Sequence, residues 1–353
     1  MNLNASKDHL FAAPPNAPLH RAGQRSVSNA PQIVVLTPVK NESWILERFL
    51  AATSCFADLI LIADQNSTDE SASIARKFSK VHLLENKSET FNESERQLTL
   101  IRKARELVRG RKILLGFDAD EILAANATEQ LGWQTMLAAK PGTTLYFEKP
   151  ELYPNPGRCI RWDTPWPIGY VDDGAEHVPR AIHSIRVPRP PGGQRLVLND
   201  IKVLHYSFCR PDAHRAKMRY YSVIENVLGS QPLRRRLRTY KAEAISASFP
   251  EPQETPREWL EDWERRGIDM HSIGCEQFYW HDFEVLRQFA KHGTRRFWFD
   301  DVWEMDWEEC RRVASAKGII GLPAKQIKTP PKMVGLLRRQ FQNLVRRPRT
   351  KAR

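Results

Sequence analysis

The sequence predicts an α/β fold, a mostly parallel, doubly wound sheet with helices on both faces. Apolar runs with the length of buried strands alternate four times with segments of helical periodicity, separated by short polar connections. At 353 residues, 41% of them hydrophobic, the chain is long enough for one large domain or two modest domains around a real core. The alternation therefore predicts the topology of the sheet, and the chain is long enough to bury the sheet in a core.

The alternating strand and helix segments occupy the first third of the chain. Each predicted strand is a short apolar run, and each predicted helix repeats apolar residues at helical spacing. The strands are 32–37, 58–63, 81–84 and a run that begins at 112 and ends before three acids. The helices are 43–52, a segment that ends near 78, and 92–109. Ser43 is the predicted N-cap of the first helix, and Pro38 stops the first strand because it has no backbone N–H.

The alternation ends near Asn126, and mixed elements follow. Asn126 and Glu129 have the spacing of a capping box for a helix that ends near residue 139. Further strands are predicted at 143–147, 181–187 and 201–208, and further helices at 212–228, 255–267 and 276–292. Trp259 and Trp263, four residues apart, predict a helical face packed against the sheet.

The domain organisation follows from composition. Residues 1–30 are rich in Asn, Ala, Pro and Ser and predict a disordered leader. Residues 31–210 predict the sheet domain, and 211–324 predict a helical C-terminal region. Residues 325–353 predict a basic amphipathic tail, in which apolar side chains recur at helical spacing among Lys and Arg.

The net charge of +12 belongs to that tail. Ten of the 54 Lys and Arg lie in residues 325–353, which contain no acid, so the rest of the chain carries 44 bases against 42 acids. Such a tail fits an anionic membrane surface, a nucleic acid or a solvated end. Nucleic acid is disfavoured, because Phe341 is the tail's only aromatic residue for stacking on bases.

Composition also bears on the compartment. No apolar run approaches the roughly 18 residues that a membrane-spanning helix needs, and the first residues lack the pattern of a signal peptide. The five cysteines are odd in number and form no C-x-x-C pair, which favours a reduced compartment over a disulfide scaffold or a zinc site. We therefore expect a cytoplasmic protein, with membrane contact confined to the tail.

The most informative stretch is 112–123, where a buried strand runs into Asp118, Asp120 and Glu121. Open α/β sheets bind ligands at the carboxyl ends of their strands. Acids concentrated there repel one another unless a positive group joins them, and a divalent cation shared with a substrate phosphate supplies that charge. A solvated acidic turn is the alternative explanation for an isolated Asp-x-Asp.

Polar residues also follow two other predicted strands. If these strands end side by side, their loops bring Thr37 and Asp64 close to Asp118 and Asp120. The chain has neither a G-x-G-x-x-G nor a Walker A motif, so a bound diphosphate needs a metal and cationic side chains. Arg96, near the start of a helix, can supply such a cation.

These residues together resemble the family 2 glycosyltransferases, which have the GT-A fold and transfer a sugar from a nucleotide donor with inversion. The segments that carry the resemblance are 34–38, Asn41-Glu42, 64–69, Arg96-Gln97 and 117–121. The match spans about 32–123 and continues more loosely to 208. The Gln65-Asn66 pair departs from the acid–glycine pair that is commonest in the family, which leaves the base specificity open.

The resemblance implies a role for each matching residue on the donor side. Thr37 and Glu42 would line the nucleotide pocket, and Asp64 would accept a hydrogen bond from the base. Arg96 would lie near the diphosphate and Asp118 near the ribose. Residues 31–210 would then be the nucleotide-sugar-binding and catalytic domain, and 211–324 would shape the acceptor side.

The resemblance also implies a metal site. Asp120 would bind a divalent cation, Mn²⁺ or Mg²⁺, and His205 resembles the histidine that completes the metal site in many relatives. Both residues are predicted to follow a strand or to lie near its end. The cation would be the cofactor of the transfer.

The catalytic base of an inverting transfer must lie across the sugar from the metal, so we expect it on the acceptor side. Asp172, Asp173 and Glu176 are the acids there, with Asp173 the first choice and Asp172 the next. A loop acid beside Gly174 is also typical of a simple turn. His183 is a further candidate for this pocket, although a histidine satisfied within its strand explains it as well.

The sequence as a whole predicts a metal-dependent inverting glycosyltransferase. Its partners would be a nucleotide-sugar donor, a saccharide or lipid-linked acceptor and, through 325–353, an anionic membrane surface. Two alternatives stay open: a catalytically silent module that binds nucleotide sugars or adapts to a membrane, and a sugar-phosphate nucleotidyltransferase. The latter is expected to carry a Gly-rich loop after the first strand, where this chain has residues 38–42.

Overall fold

The fold is a mixed α/β arrangement around one large sheet, seen in a computed structural model that describes residues 30–85, 93–179, 184–240 and 249–346. The predicted leader lies outside these ranges except for Ala30. The strands are β1 (Gln32–Val39), β2 (Leu59–Asp64), β3 (Val81–Glu85), β4 (Lys112–Gly116), β5 (Glu121–Leu123), β6 (Thr143–Glu148), β7 (Glu151–Leu152), β8 (Arg158–Ile160), β9 (Trp166–Val171), β10 (Gln194–His205) and β11 (Gln253–Glu254).

The helices surround the sheet and form most of the C-terminal part. They are α1 (Ser43–Ser54), α2 (Ser71–Ala75), α3 (Glu93–Leu107), α4 (Leu131–Ala138), α5 (Pro211–Leu228), α6 (Leu233–Thr239), α7 (Glu261–Arg265), α8 (Trp280–His292), α9 (Trp307–Ala316) and α10 (Lys332–Arg346). Within the described ranges, no helix combines the length and the apolar character needed to cross a bilayer.

The direction of the strands decides which loops meet. The strand order is β11-β8-β7-β10-β6-β9-β4-β1-β2-β3, with β5 paired to β10. Strands β1, β2, β3 and β4 are mutually parallel, whereas β9 lies antiparallel between β4 and β6. Because β10 is parallel to β6, the strands β1, β4, β6 and β10 all end at the same edge.

Helices cover both faces of the sheet because successive side chains of a strand point in opposite directions. Ile33 and Val35 of β1 belong to the core cluster that contains Phe49 of α1. Val34 and Leu36 belong to another cluster, which contains residues of α3. The predicted α/β fold class, a mostly parallel sheet with helices on both faces and a helical C-terminal region, is confirmed.

Several local predictions were wrong. The first strand continues through Pro38 to Val39, and Glu42, not Ser43, is the N-cap of α1. The Ser43 N–H instead donates to Asp69 Oδ2 at 2.9 Å, so the cap comes from the neighbouring loop. Asn126 makes no side-chain capping bond, and its segment is a 3₁₀ turn followed by α4.

The strand predicted at 181–187 is not found in its described part, residues 184–187, while 181–183 lie outside the described residues. The strand predicted at 201–208 is longer at its start and ends at His205. Its first half alternates exposed and less exposed residues, so its pattern is too polar to read as a buried strand.

The predicted packing of two tryptophans against the sheet is confirmed. Trp259 and Trp263 are each 4% exposed and belong to the same core cluster as the sheet residues. The indole Nε1 of Trp263 donates to the carbonyl oxygen of Leu123 in β5 at 2.8 Å. The helical region is therefore tied to the strand that follows the acidic corner.

We expect Trp263→Phe to lower the free energy of unfolding by about 1 to 2 kcal/mol, because the buried Leu123 carbonyl loses its indole donor. Urea unfolding measures the change. The matched control is Trp298→Phe, whose indole donates to Lys328 O in an exposed setting where water replaces it. Equal losses in the two variants would contradict a specific role for the buried bond.

Candidate functional site

A cavity of about 920 Å³ lies at the carboxyl edge of the sheet. Loops after β1, β4, β6 and β10 contribute its sheet side, and α5 and α8 contribute the opposite wall. Five of the residues singled out from the sequence line it: Glu42, Arg96, Asp118, Asp120 and His205. They come from separate parts of the chain, and the parallel strands bring them together.

The acidic corner follows β4 and is folded back by its own hydrogen bonds. The N–H of Glu121 donates to Asp118 O at 3.0 Å, and the N–H of Asp118 donates to Glu121 Oε2 at 3.1 Å. Ala119 is 2% exposed and packs into the core, while Asp118 and Asp120 line the cavity. The corner is therefore a shaped turn rather than a solvated one.

Arg186 is a site residue that the sequence analysis missed. Its guanidinium forms ion pairs with both Asp118 and Glu121 and donates to the Gly116 carbonyl at 3.2 Å. Lys149 Nζ lies 3.2 Å from Glu121 Oε1 and adds a second cation. Burial opposes the charge of Glu121, but these cations hold its pKa at about 2.

Arg186 gave no clear signal in the sequence, because it lies within residues 181–187, which the sequence analysis assigned to a strand. Burial raises the pKa of Asp118, assisted by Glu121 and opposed by Arg186. A Cβ added at Gly116 would lie 2.7 Å from the Arg186 Cβ, so the absence of a side chain there lets the arginine segment approach β4.

Asp120 and His205 meet at the ends of neighbouring segments. The Tyr206 N–H donates to Asp120 O at 2.9 Å, and His205 Nε2 lies 3.5 Å from Asp120 Oδ2. His205 Nδ1 lies 2.5 Å from Glu151 Oε2. Burial opposes a charge on His205, but Glu151 and Asp120 raise its pKa to about 9, and the imidazole in turn lowers the pKa of Asp120.

Glu151 is a second residue that the sequence analysis missed. It follows β6, which ends at the same edge as β4 and β10, so the rule that drew attention to Asp118 also applies to it. By holding Nδ1 of His205, Glu151 leaves Nε2 directed toward Asp120. The pair is thereby oriented before any ligand binds.

Asp120 and His205 are the candidate ligands for a divalent cation at this edge. Among the described residues, no group of three or more His, Cys, Asp or Glu is arranged to hold a metal ion. Asp120 and His205 offer one carboxylate and one imidazole, and such a pair fits a cation that takes its other ligands from substrate oxygens. The imidazole must lose its proton to bind a metal.

Glu42 and Arg96 line another part of the cavity. The Glu42 carboxylate accepts from the Trp44 indole at 2.7 Å, and burial together with Asp120 raises the Glu42 pKa to about 8. Arg96 donates to Gln65 Oε1 at 2.8 Å, and burial lowers its pKa. Both side chains therefore stand where charge is poorly hydrated.

Thr37 and Asp64 are buried at the strand ends but do not line the cavity in the described part of the chain. Asp64 Oδ2 accepts the N–H of Ser67 at 3.2 Å, which shapes the loop after β2. Thr37 precedes Pro38, which does line the cavity. The structure thus places both residues behind the pocket wall.

Asp172 and Asp173 do not reach the cavity. Strand β9 runs antiparallel to β4, so the residues that follow it lie at the opposite edge, where the Asp172 N–H donates to Lys112 O. Asp172 pairs with Arg105 at 2.8 Å, and Asp173 accepts from Tyr170 Oη. Glu176 also does not line the cavity, and His183 lies outside the described residues.

The wall opposite the sheet is cationic and aromatic. Arg210 and Lys217 of the α5 segment line it, and Arg210 stacks between Trp44 and Tyr279 with centroid distances of 4.3 and 4.8 Å. The pKa of Lys217 is raised, most of all by Tyr221 and then by the acids Asp120 and Asp118. Burial of the Lys217 ammonium opposes this shift. The cavity therefore offers positive charge across from the acidic corner.

No protein-family model matches the sequence, and no curated protein matches it either. Among solved structures, glucosyl-3-phosphoglycerate synthase from Mycobacterium tuberculosis with phosphoglyceric acid is 18% identical over 35% of this chain and 45% of its own, with a TM-score of 0.26. The same synthase with Mn²⁺, UDP-glucose and phosphoglyceric acid gives 18% identity over 38% and 50%, with a TM-score of 0.25.

A 4-diphosphocytidyl-2C-methyl-D-erythritol synthase is 21% identical over 33% of this chain and 59% of its own, with a TM-score of 0.27. The chain thus spans less than two thirds of the length of the structures it matches. Similarity at this level carries no argument about what this chain does.

We expect Arg186→Met to lower the free energy of unfolding by about 3 kcal/mol, because it leaves the buried Glu121 carboxylate with Lys149 alone. Arg186→Lys keeps the charge without the planar fork and should recover part of the loss. Urea unfolding measures both. The control, Arg102→Met on the exposed side of α3, should change the value by less than about 0.5 kcal/mol. A similar small loss at Arg186 would show that the corner does not depend on it.

Proposed function

We propose that the chain is a metal-dependent, inverting glycosyltransferase that resembles family 2 and takes its sugar from a nucleotide-diphosphate donor. The observation that carries the proposal is the convergence of Asp118, Asp120, His205, Glu42 and Arg96 on one cavity at the carboxyl edge of the sheet. A merely solvated acidic turn would not bring a histidine and two donor-side residues to it.

In this proposal the donor lies between the loops after β1 and β4. Glu42 and Asp118 bind the nucleoside, and Arg96 offers its guanidinium to the diphosphate. Asp64 shapes the loop after β2 by accepting the Ser67 N–H, and Thr37 is buried next to Pro38, which lines the cavity. The absence of a Gly-rich cradle in the sequence is then compensated by side-chain charge.

Asp120 and His205 are the proposed ligands of a divalent cation, Mn²⁺ or Mg²⁺. When bound, such an ion neutralises charge on a departing diphosphate. Glu151 orients His205 through Nδ1, so that the chain presents Nε2 and the Asp120 carboxylate to the same point. Lys217, on the facing helix, adds positive charge near the same acids.

The acceptor side is proposed to be the α5 and α8 wall, with a saccharide or lipid-linked acceptor. Tyr279 and Trp280 line the cavity there, beside Arg210 and Lys217. A base from this chain would be one of the acids that line the cavity, because Asp172 and Asp173 lie at the far edge of the sheet.

The two alternatives give different products. A nucleotidyltransferase joins a sugar phosphate to a nucleoside triphosphate and releases pyrophosphate, whereas a glycosyltransferase releases a nucleoside diphosphate. A silent binding module retains metal-dependent nucleotide affinity but releases neither. Product analysis with nucleotide sugars and with triphosphates, across a panel of acceptors, separates all three.

We expect one family of nucleoside diphosphates or nucleotide sugars to raise the melting temperature, and only when Mn²⁺ or Mg²⁺ is present. Asp120→Ala should abolish the metal-dependent shift and His205→Ala should weaken it, because each removes a proposed ligand. Thermal-shift measurements with and without metal test this. Glu129→Gln removes an exposed carboxylate and serves as the control. A shift that ignores metal, or that survives Asp120→Ala, would count against the mechanism.

A further inference from the structure

Helix α10 presents most of its apolar side chains outward and buries two polar ones, Arg338 and Gln342. Met333, Leu336, Leu337, Phe341 and Leu344 are between 36% and 72% exposed, and we call these five residues the apolar stripe. They recur at helical spacing and therefore share one side of the helix. A helix that merely packs on a protein orients such residues the other way.

The face of α10 that packs against the rest of the protein is fixed by a buried ion pair. Arg338 is 3% exposed, and its Nη1 lies 3.1 Å from Asp301 Oδ1. Gln342 and Val345, four and seven residues further along, are buried on the same side. This buried ion pair fixes the rotation of the helix about its axis, because a rotation that turned the stripe inward would break the bond between Arg338 and Asp301.

Helix α6, against which α10 packs, is anchored in the same way. Arg236 is 8% exposed and donates to Asp300 Oδ1 at 2.9 Å, while Ser222 and Asn226 of α5 donate to the same carboxylate. In the structure these neighbouring acids join α5, α6 and α10.

Exposed positive charge lies on the same two packed helices as the stripe. Arg234, Arg235 and Arg238 of α6 are exposed, as are Lys332 and Arg339 of α10. No acid occurs in the sequence of either helix or in residues 325–353. We call the two helices together the α6–α10 platform.

We propose that the α6–α10 platform docks on an anionic lipid surface, with the apolar stripe inserted among acyl chains and the arginines against the headgroups. This combination of an aliphatic stripe and flanking cations is what interfacial helices require, and it needs no membrane-spanning segment. The inference does not depend on the proposed function, since it concerns a different surface.

Two other occupants fit the platform less well. A second copy of the chain would bring two uniformly basic surfaces together without an acid in either helix to pair them. A nucleic acid would neutralise the positive charge, but it would leave the aliphatic stripe without an apolar partner. Phe341 is the stripe's one aromatic side chain for stacking on bases. A bilayer of anionic lipid matches both features.

The test is co-sedimentation of the full chain with vesicles. Wild-type protein is expected to bind phosphatidylcholine vesicles that contain phosphatidylglycerol and to bind pure phosphatidylcholine weakly. Leu336→Ser with Leu344→Ser should weaken binding roughly tenfold by removing inserted side chains. Arg234→Gln with Arg235→Gln and Arg238→Gln should weaken it roughly 100-fold at low salt.

Matched controls change the same chemistry elsewhere. Leu131→Ser with Val178→Ser removes two side chains that are 81% and 84% exposed, away from the platform in sequence. Lys77→Gln with Arg102→Gln and Arg109→Gln removes the same charge from exposed positions in the sheet domain. Both controls are expected to bind within about twofold of wild type. Circular dichroism confirms that every variant folds.

Three results would overturn the proposal. The first is equal binding to anionic vesicles and to pure phosphatidylcholine vesicles at low salt. The second is binding that is unchanged when Leu336 and Leu344 are replaced, or that falls as much in the control variants as in the platform variants. The third is occupation of the platform by something else. A concentration-dependent dimer lost in the stripe variant would assign a second copy, and oligonucleotide binding without vesicle binding would assign a nucleic acid.

Discussion

The buried carboxylate of Glu121 is the constraint on which the arrangement of the candidate site depends. It is 0% exposed and accepts the Asp118 N–H, while Arg186 and Lys149 neutralise it. An unpaired charge at this depth would be costly, so the segments that carry the two cations must close over the corner. The turn that presents Asp118 and Asp120 to the cavity is fixed by that closure.

Strand direction is the second determinant. Because β6 and β10 run in the same direction as β4, Glu151 and His205 arrive at the edge where Asp120 stands. Because β9 runs against them, Asp172 arrives at the other edge. The polar loops therefore fall into two groups because β9 is antiparallel to its neighbours β4 and β6. The loops after β4, β6 and β10 can share a ligand, whereas the loop after β9 stabilises the opposite edge.

The C-terminal helices connect this cavity to a second surface through α5. Lys217 of α5 faces the cavity, and Ser222, less than two turns later, binds the Asp300 carboxylate beneath α6 and α10. Helices α5, α8 and α9 have their own hydrophobic cluster, so the wall opposite the sheet is a packed body rather than a flexible cover. Both surfaces are thus built on the same rigid element.

The sequence by itself determined the alternation of strands and helices, the acidic corner at the end of β4 and the amphipathic character of α10. Each of these is a local pattern of apolar spacing or of residues beside a strand end. Only the tertiary structure decided that Arg186 and Glu151 belong to the site, that Asp172 does not, and that the stripe of α10 faces outward. The physical reason is that these outcomes depend on the pairing and direction of the strands and on ion pairs between residues far apart in the chain. Local spacing of residue types encodes neither the strand pairing nor these ion pairs.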